Sequence, residues 1–266
     1  DTDSFDLLLP TLQRFIRERL IPAENHLEEH DDVPLDIVQD MKDMGLFGLT
    51  VPEAYGGIGL SVSQEVLVNY ELGRTAPAFR SVFGTNIGIG SQGILMDGTP
   101  EQKAAYLPRV ASGELIMSFA LTEPDVGTDA ASLKTRAELD GDHYVLNGTK
   151  QFISGAGVSD LYLTMVRTGG DGPSGVSALL VPKATAGLTF GANERKMGWN
   201  AQPTRQVILD EVRVPASAVL GVEGQGFKIA MSALNGGRIN IAACSLGGAQ
   251  AALDKSLAYM GERNAF

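Results

Sequence analysis

The sequence contains a single cysteine, Cys244, in 266 residues. One cysteine excludes an internal disulfide and a CxxC metal knuckle. Only three histidines are present, and Ser154 has no evident histidine partner, which disfavours hydrolysis by an activated serine. No apolar run reaches the roughly 18 residues that a membrane-spanning helix needs, and no basic segment precedes an apolar one as in a signal peptide. These absences predict a soluble protein without structural disulfides.

Positive charge is also scarce, with 21 basic residues against 32 acidic ones and a formal net charge of −11. A nucleic-acid surface needs clustered lysine and arginine to displace counterions, so we expect no nucleic-acid partner. Small anionic ligands remain possible, because a few arginines and backbone N–H groups suffice to bind them.

The spacing of apolar residues divides the chain into three blocks. Residues 1–113 have helical spacing, as in the face that starts at Phe5 and ends at Leu20. Residues 114–218 contain short β-type runs separated by turn residues, and residues 219–266 return to helical spacing. The candidate strands are Ile116–Thr122, Thr135–Leu139, Tyr144–Phe152, Leu161–Arg167, Val176–Pro182 and Gln206–Val214.

The order of these blocks predicts an α+β multi-domain protein. It would have an N-terminal all-α domain (1–113), a central antiparallel β-barrel or sandwich (114–218) and the beginning of a C-terminal helical bundle (219–266). The last block has apolar residues around much of its circumference, from Ile229 to Leu257, so its helix needs partners to pack against.

Local signals mark the ends of several elements. Ser61–Gln64 and Thr99–Gln102 have the spacing of capping boxes at helix starts, and we expect Pro34 to open a second short helix. The segment Leu139–His143 contains Asp-Gly and predicts a β-hairpin.

Gly88–Gly93 matches the dinucleotide fingerprint GxGxxG. A working fingerprint follows a β-strand, whereas this one lies in the helical block. We interpret its glycines as positions of close helix packing.

His26–His30 matches the HxxEH pattern of some zinc proteases. It lies in a polar run where a helix is expected to end, and a zinc site needs further ligands. A solvated helix end is the favoured interpretation, and we expect no metal.

The segment Phe119–Asp129 has a more distinctive composition. A strand leads into a loop stiffened by Pro124, with hydroxyls at Thr122 and Thr128. Such a loop presents small donors to a ligand, although spacing alone is also compatible with an ordinary turn.

This segment resembles a signature of the acyl-CoA dehydrogenase family, and three further segments resemble the family in the same order. These are Asn147–Ser154, Lys196–Arg205 with Val212–Pro215 beyond it, and Gly224–Phe227 with Leu234–Ile239. Four ordered matches over most of the chain are more specific than any one of them.

The resemblance implies FAD as cofactor and an acyl-CoA thioester as substrate. Phe119, Leu121 and Thr122 would contact the isoalloxazine ring, with Gly127 and Thr128 in the adjoining loop. Phe152, Ile153 and Ser154 would cover the rest of the flavin, and Phe152 retains a stacking face where several relatives have tryptophan. Thr128 would also line the substrate channel, and Asn235 and Arg238 would hold the CoA moiety.

The same resemblance leaves the catalytic base unassigned in this sequence. Family members place the base glutamate either immediately before the position of Arg238, where this chain has Gly237, or in the C-terminal helical region, which would lie beyond Phe266. We expect Glu123 to have a structural or loop-capping role. We expect the sequence to be an incomplete piece of a longer enzyme rather than a naturally short, non-dehydrogenating relative.

The segments 197–205 and 234–242 resemble most the isobutyryl-CoA branch of the family, which implies a short branched acyl group. The resemblance also implies a homotetramer, electron-transfer flavoprotein as electron acceptor, and a location in the bacterial cytoplasm or the mitochondrial matrix. Alternatives are a flavin-dependent acyl-CoA oxidase or monooxygenase on the same scaffold, and a non-catalytic flavin- or CoA-binding protein.

Overall fold

The computed structural model describes residues 2–264. Its α-helices are α1 Thr2–Phe15, α2 Glu24–His30, α3 Leu35–Asp43, α4 Val62–Leu72, α5 Pro77–Thr85, α6 Gln92–Asp97, α7 Pro100–Ala111 and α8 Gly226–Glu262. Its strands are β1 Met117–Ala120, β2 Arg136–Asp140, β3 His143–Ser154, β4 Leu161–Arg167, β5 Val176–Pro182, β6 Leu188–Phe190, β7 Thr204–Pro215 and β8 Val219–Leu220.

Both predicted capping boxes are present in the N-terminal helices. Ser61 caps α4 by accepting from the backbone N–H of Gln64, and Thr99 caps α7 in the same way with Gln102. These bonds satisfy amide groups that a helix start otherwise leaves unpaired. The apolar faces of α1, α3, α4 and α5 then form one buried cluster.

The strands form one mixed sheet in the order β6-β7-β3-β2-β4-β5-β8, and β1 pairs with β4 outside that order. The predicted order of an all-α block, a β block and the start of a helical block is confirmed, but the sheet differs from the predicted antiparallel barrel or sandwich in two respects. The β1–β4 pairing is parallel, as is a single pairing between β2 and β4, and the sheet does not close. A long connection joins β1 to β4, and only such a crossover allows two strands to run parallel.

The predicted hairpin connects β2 to β3, where Asp140 pairs with His143. Gly141 stands in the turn with φ of +64°, a conformation that glycine adopts without steric strain. The short strands β6 and β8 had no clear sequence signal, since they contain only three and two residues.

The central strands are buried on both faces. In β4, Leu163 and Met165 contact the cluster shared with α6, α7 and α8, whereas Tyr162 and Val166 contact a second cluster with β3 and β7. Strands covered on both faces consist almost wholly of apolar residues, which explains the continuous apolar runs of β4 and β5.

Two glycines of the GxGxxG segment, Gly90 and Gly93, serve the close packing that the pattern predicts, whereas a Cβ on Gly88 would meet nothing within 4 Å. The preceding element is helix α5, and the glycines follow it through a π-helical turn, Asn86–Gly90. A Cβ on Gly93 would lie 3.0 Å from the side chains of Leu163 and Leu220. The segment therefore lets this turn and α6 approach the sheet. The HxxEH segment ends α2 at the exposed His30.

Helix α8 spans 37 residues and is buried only in its first part. Its later apolar side chains Leu246, Leu253 and Leu257 are 64%, 51% and 63% exposed. Within residues 2–264, no helix is both long enough and apolar enough to cross a membrane.

Candidate active-site cleft

A cleft of about 830 Å³ lies between the helical blocks and the sheet. Its walls come from α5, the π-helical turn, the C-terminal end of β3, the loop before β7 and the middle of α8. The residues lining it are Arg80, Ser81, Gly84, Thr85, Gly88, Ile89, Ser154, Lys196, Gly198, Trp199, Gln202, Thr204, Leu234, Gly237, Arg238, Ile241 and Ala242. Within residues 2–264 the lining contains three cationic side chains and no carboxylate.

The loop after β1 is held by a buried ion pair. Lys150 Nζ lies 2.8 Å from Glu123 Oε1, and it also donates to the carbonyl of Leu121 at 3.1 Å. The carboxylate of Glu123 accepts two further bonds, from the backbone N–H groups of Lys134 and Thr135. Glu123 therefore has the structural role predicted for it, because its carboxylate is bonded to Lys150 and to the backbone of Lys134 and Thr135 inside the fold.

Both groups of this pair have shifted pKa values. Complete burial lowers the pKa of Lys150 to about 8, against the opposing attraction of Glu123. Burial tends to raise the pKa of Glu123, but the Lys150 ammonium and the N–H donors outweigh it and hold the pKa below its usual value.

The end of β3 contains a bulge that presents one aromatic side chain to solvent. The register between β3 and β7 shifts between Lys150 and Ile153. Phe152 lies within the shift with φ of +59° and is 61% exposed. A positive φ in a bulky residue is strained and often marks a functional position. The bulge leaves Ile153 buried and places Ser154 in the cleft wall.

The loop before β7 forms another wall and is fixed by polar contacts. Lys196 donates to the carbonyl of Gln202 and to the hydroxyl of Thr204. Trp199 has φ of +62°, and its indole N–H donates to Ser81 Oγ at 2.6 Å. This last bond joins the loop to helix α5 across the cleft.

Helix α8 contributes the opposite wall. Gly237 and Arg238 both line the cleft, and Arg238 donates to the side chain of Asn235 at 2.7 Å. Asn235 and Arg238 are exposed. At position 237 a proton acceptor is impossible, because glycine has no side chain.

The structure brings some of the predicted site residues together and leaves others apart. Ser154 and Arg238 line the same cleft. Phe119, Leu121 and Ile153 have buried side chains that belong to the apolar clusters. Thr122 is half-buried and joined to β3, since its carbonyl accepts from the N–H of Gln151 at 2.8 Å. Gly127 and Thr128 are exposed in the loop after β1, outside the lining of the cleft.

Sequence reasoning missed three lining residues that the fold makes prominent: Arg80, Ser81 and Trp199. Arg80 is 8% exposed although it lies on helix α5 of the N-terminal block. No local pattern marks it, because the cleft forms only when α5 meets α8 and the loop before β7.

The surface beside the cleft fits a flat, polar aromatic cofactor such as the flavin of FAD. Phe152 offers an exposed ring and Ser154 a hydroxyl in the cleft wall. Gly127, in the loop after β1, has an open backbone where an added Cβ would meet nothing within 4 Å. Flavin sites need such a stacking face together with a few placed donors.

Comparison with known proteins identifies the family of the chain. Three family models match the chain: the acyl-CoA dehydrogenase N-terminal domain over residues 2–114, the middle domain over 118–212 and the C-terminal domain over 224–266. An isobutyryl-CoA dehydrogenase of Dictyostelium discoideum is 48% identical over 90% of this chain and 58% of its own length. An acyl-CoA dehydrogenase of Bacillus subtilis (strain 168) is 42% identical over 95% of this chain and 67% of its own.

Solved structures give the same result. Butyryl-CoA dehydrogenase from Megasphaera elsdenii superposes with a TM-score of 0.94 at 33% identity, over 100% of this chain and 71% of that one. An acyl-CoA dehydrogenase from Bacillus anthracis complexed with FAD superposes at 0.90 with 36% identity, over 99% of this chain and 46% of that one. The ordered matches of all three domains and the shared fold show that this chain belongs to the acyl-CoA dehydrogenase family.

Proposed function

We propose that the complete gene product catalyses FAD-dependent α,β-dehydrogenation of a short acyl-CoA thioester to the 2-enoyl-CoA. The observation that carries the proposal is the cleft in which Ser154, beside the exposed Phe152, faces Gly237 and Arg238 of helix α8. The wall with Phe152 and Ser154 fits the flavin, and the wall formed by helix α8 fits the thioester. The FAD-bound relative from Bacillus anthracis supports the same cofactor.

Each wall would have a separate task. Phe152 would stack on the flavin, and the hydroxyl of Ser154 would hydrogen-bond at its edge, with Thr122 and the loop of Gly127 and Thr128 beside it. FAD would supply the hydride acceptor for the substrate β-carbon. Asn235 and Arg238 would bind the CoA moiety at the exposed rim, where the guanidinium supplies charge and several donors.

The α-proton needs a carboxylate within hydrogen-bond reach of the substrate. No aspartate or glutamate lines the cleft within residues 2–264, and the carboxylate of Glu123 forms a buried ion pair with Lys150. We therefore assign no catalytic residue in this chain and propose that the base comes from elsewhere in the complete protein.

Similarity to isobutyryl-CoA dehydrogenase supports a short, branched acyl group. By the same similarity we propose electron-transfer flavoprotein as acceptor, a homotetramer, and a location in the bacterial cytoplasm or the mitochondrial matrix. The exposed apolar side chains of α8 are compatible with assembly, because such a face is stabilised by packing.

An anaerobic titration of the purified, complete gene product tests the proposal. The flavin absorbance is followed while isobutyryl-CoA and straight-chain butyryl-CoA are added. Bleaching of the oxidised band by either thioester is expected, and stronger bleaching by isobutyryl-CoA would support the branched acyl group. If the protein binds no flavin, or binds a flavin that neither thioester reduces, the proposed dehydrogenation of a short acyl-CoA is wrong.

A further inference from the structure

The backbone of Ser154 is bonded from the interior by a buried hydroxyl. Ser118 in β1 donates through Oγ to the carbonyl oxygen of Ser154 at 2.6 Å, and Ser118 is fully buried. The side chain of Ser154 is exposed and lines the cleft. Ser154 therefore presents its hydroxyl to the cleft, while its carbonyl faces a hydrogen-bond donor inside the fold.

A second buried serine holds the first in place. Ser159 Oγ lies 2.8 Å from Ser118 Oγ, and Ser159 is fully buried as well. Ser159 lies between β3 and β4, and its backbone N–H donates to the carbonyl of Gly155 at 2.8 Å. A serine hydroxyl rotates freely unless its surroundings fix it. The serine pair thus joins β1, the end of β3 and the turn before β4 through polar contacts.

Gly155 leaves the space that the two hydroxyls occupy. A Cβ on this residue would lie 2.5 Å from Ser159 Oγ and 2.8 Å from Ser118 Oγ. Gly155 has φ of +77°, which glycine adopts without steric strain, and its N–H donates to the carbonyl of Pro203 at 2.8 Å. The turn that follows Ser154 is therefore shaped around the serine pair.

The bond from Ser118 acts where the strand ladder is irregular. The register between β3 and β7 shifts between Lys150 and Ile153, just before Ser154, and a bulge of this kind changes the direction in which nearby side chains point. Holding the carbonyl of Ser154 fixes the peptide plane that follows its Cα. The orientation of the Ser154 side chain in the cleft wall consequently depends on Ser118.

We propose that Ser118 and Ser159 are positioning residues for the flavin, because they hold the hydroxyl of Ser154 where it hydrogen-bonds to the flavin edge. The inference rests on the proposed function, since it takes Ser154 to contact the flavin. Hydrogen bonds to the ring tune a flavin's electronics, and a donor favours the reduced, more electron-rich form. A contacting group has its full effect only when supporting bonds hold it in place. Ser118 and Ser159 would therefore raise the midpoint potential of the flavin without touching it.

The test is a double-mutant cycle between Ser118 and Ser154 in the flavin-bound, complete gene product. The absorption spectrum and midpoint potential of the flavin are measured by titration with dithionite and a redox dye, so that no thioester is needed. Ser154→Ala is expected to lower the potential by the equivalent of an about two- to tenfold weaker preference for reduced flavin, as for the loss of one hydrogen bond. Ser118→Ala is expected to give most of this shift, and to add nothing in the Ser154→Ala background.

Ser159→Ala should give a smaller shift in the same direction, because Ser118 keeps its bond to Ser154 but loses its own partner. Ser177→Ala is the matched control, since Ser177 is fully buried and its hydroxyl lies 2.7 Å from Thr168 Oγ1, outside the lining of the cleft. It should leave the potential unchanged. Tm and flavin content verify the folding of each variant. If Ser118→Ala does not fold, the same cycle is measured with Ser159→Ala.

An unchanged potential in Ser118→Ala would overturn the inference. A shift that persists in full in the Ser154→Ala background would also overturn it, because Ser118 would then act by another route. An equal shift in Ser177→Ala would show a general effect of removing buried hydroxyls and would likewise overturn it. If dithionite reduces the flavin but no thioester does, the proposed dehydrogenation fails, and the cycle still tests the serines. Absence of bound flavin would overturn both.

Discussion

Lys150 and Glu123 form an ion pair of 2.8 Å in which the lysine side chain is fully buried. The pair joins β3, which ends at Phe152 and Ser154 in the cleft region, to the loop after β1. The ion pair therefore fixes the end of β3 relative to the loop after β1, the two segments proposed to contact the flavin.

Replacing one partner of this pair should be strongly destabilising. Lys150→Met leaves the Glu123 carboxylate buried without its cation, which costs about 3–5 kcal/mol. Urea unfolding measures the loss. Arg213→Met is the matched control because Arg213 pairs with Asp140 at the surface, where such pairs contribute about 0–1 kcal/mol. A loss below about 1 kcal/mol for Lys150→Met would contradict the assigned role.

The same pair predicts a pH dependence on the acid side. The pKa of Glu123 lies below its ordinary value of 4.5 in the fold, so its contribution is fully present above 4.5 and is lost as pH falls through the folded pKa. Unfolding free energies of wild type and the Glu123→Gln/Lys150→Met double variant are compared from pH 6 to pH 3. Below about pH 4.5 the wild type should lose unfolding free energy relative to the double variant. A difference that stays constant from pH 6 to pH 3 would show that protonation of Glu123 does not affect stability.

Replacing Phe152 by glycine should stabilise the fold but weaken cofactor binding. Its positive φ costs about 1–3 kcal/mol, so Phe152→Gly should stabilise the flavin-free protein, by up to about 1 kcal/mol after the entropy lost by glycine. Loss of the ring should weaken flavin binding about two- to tenfold. Urea unfolding and flavin fluorescence measure the two effects.

Asp31→Gly serves as control for Phe152→Gly, because Asp31 has φ of +54° after helix α2. Asp31→Gly should stabilise the protein in the same way and leave the affinity for flavin unchanged. If Phe152→Gly also leaves the affinity for flavin unchanged, Phe152 does not stack on the flavin.

The packing of α8 on α4 should tolerate no side chain at Gly247. An added Cβ would lie 1.9 Å from the carbonyl oxygen of Tyr70, so Gly247→Ala should destabilise by about 1–3 kcal/mol through overpacking. Gly236→Ala in the same helix meets nothing within 4 Å and should stabilise by up to about 1 kcal/mol through helix propensity. Thermal unfolding compares them, and equal shifts would contradict close packing of the helices.

Much of the local structure is determined by the sequence. The capping boxes at Ser61 and Thr99, the turn at Gly141 and the six longer strands depend on residues close together in the chain, whose side chains and backbone satisfy one another. The family motifs are local in the same sense. The ordered segments from Phe119 to Ile239 carry the resemblance to the family without reference to any tertiary contact.

The tertiary structure alone decided the direction of the β1–β4 pairing, the strained exposure of Phe152 and the position of Arg80 in the cleft. Each depends on groups distant in the sequence. Arg80 on α5 becomes a cation of the site only because α8 and the loop before β7 close around it, and burial then removes the water that would otherwise have solvated its charge.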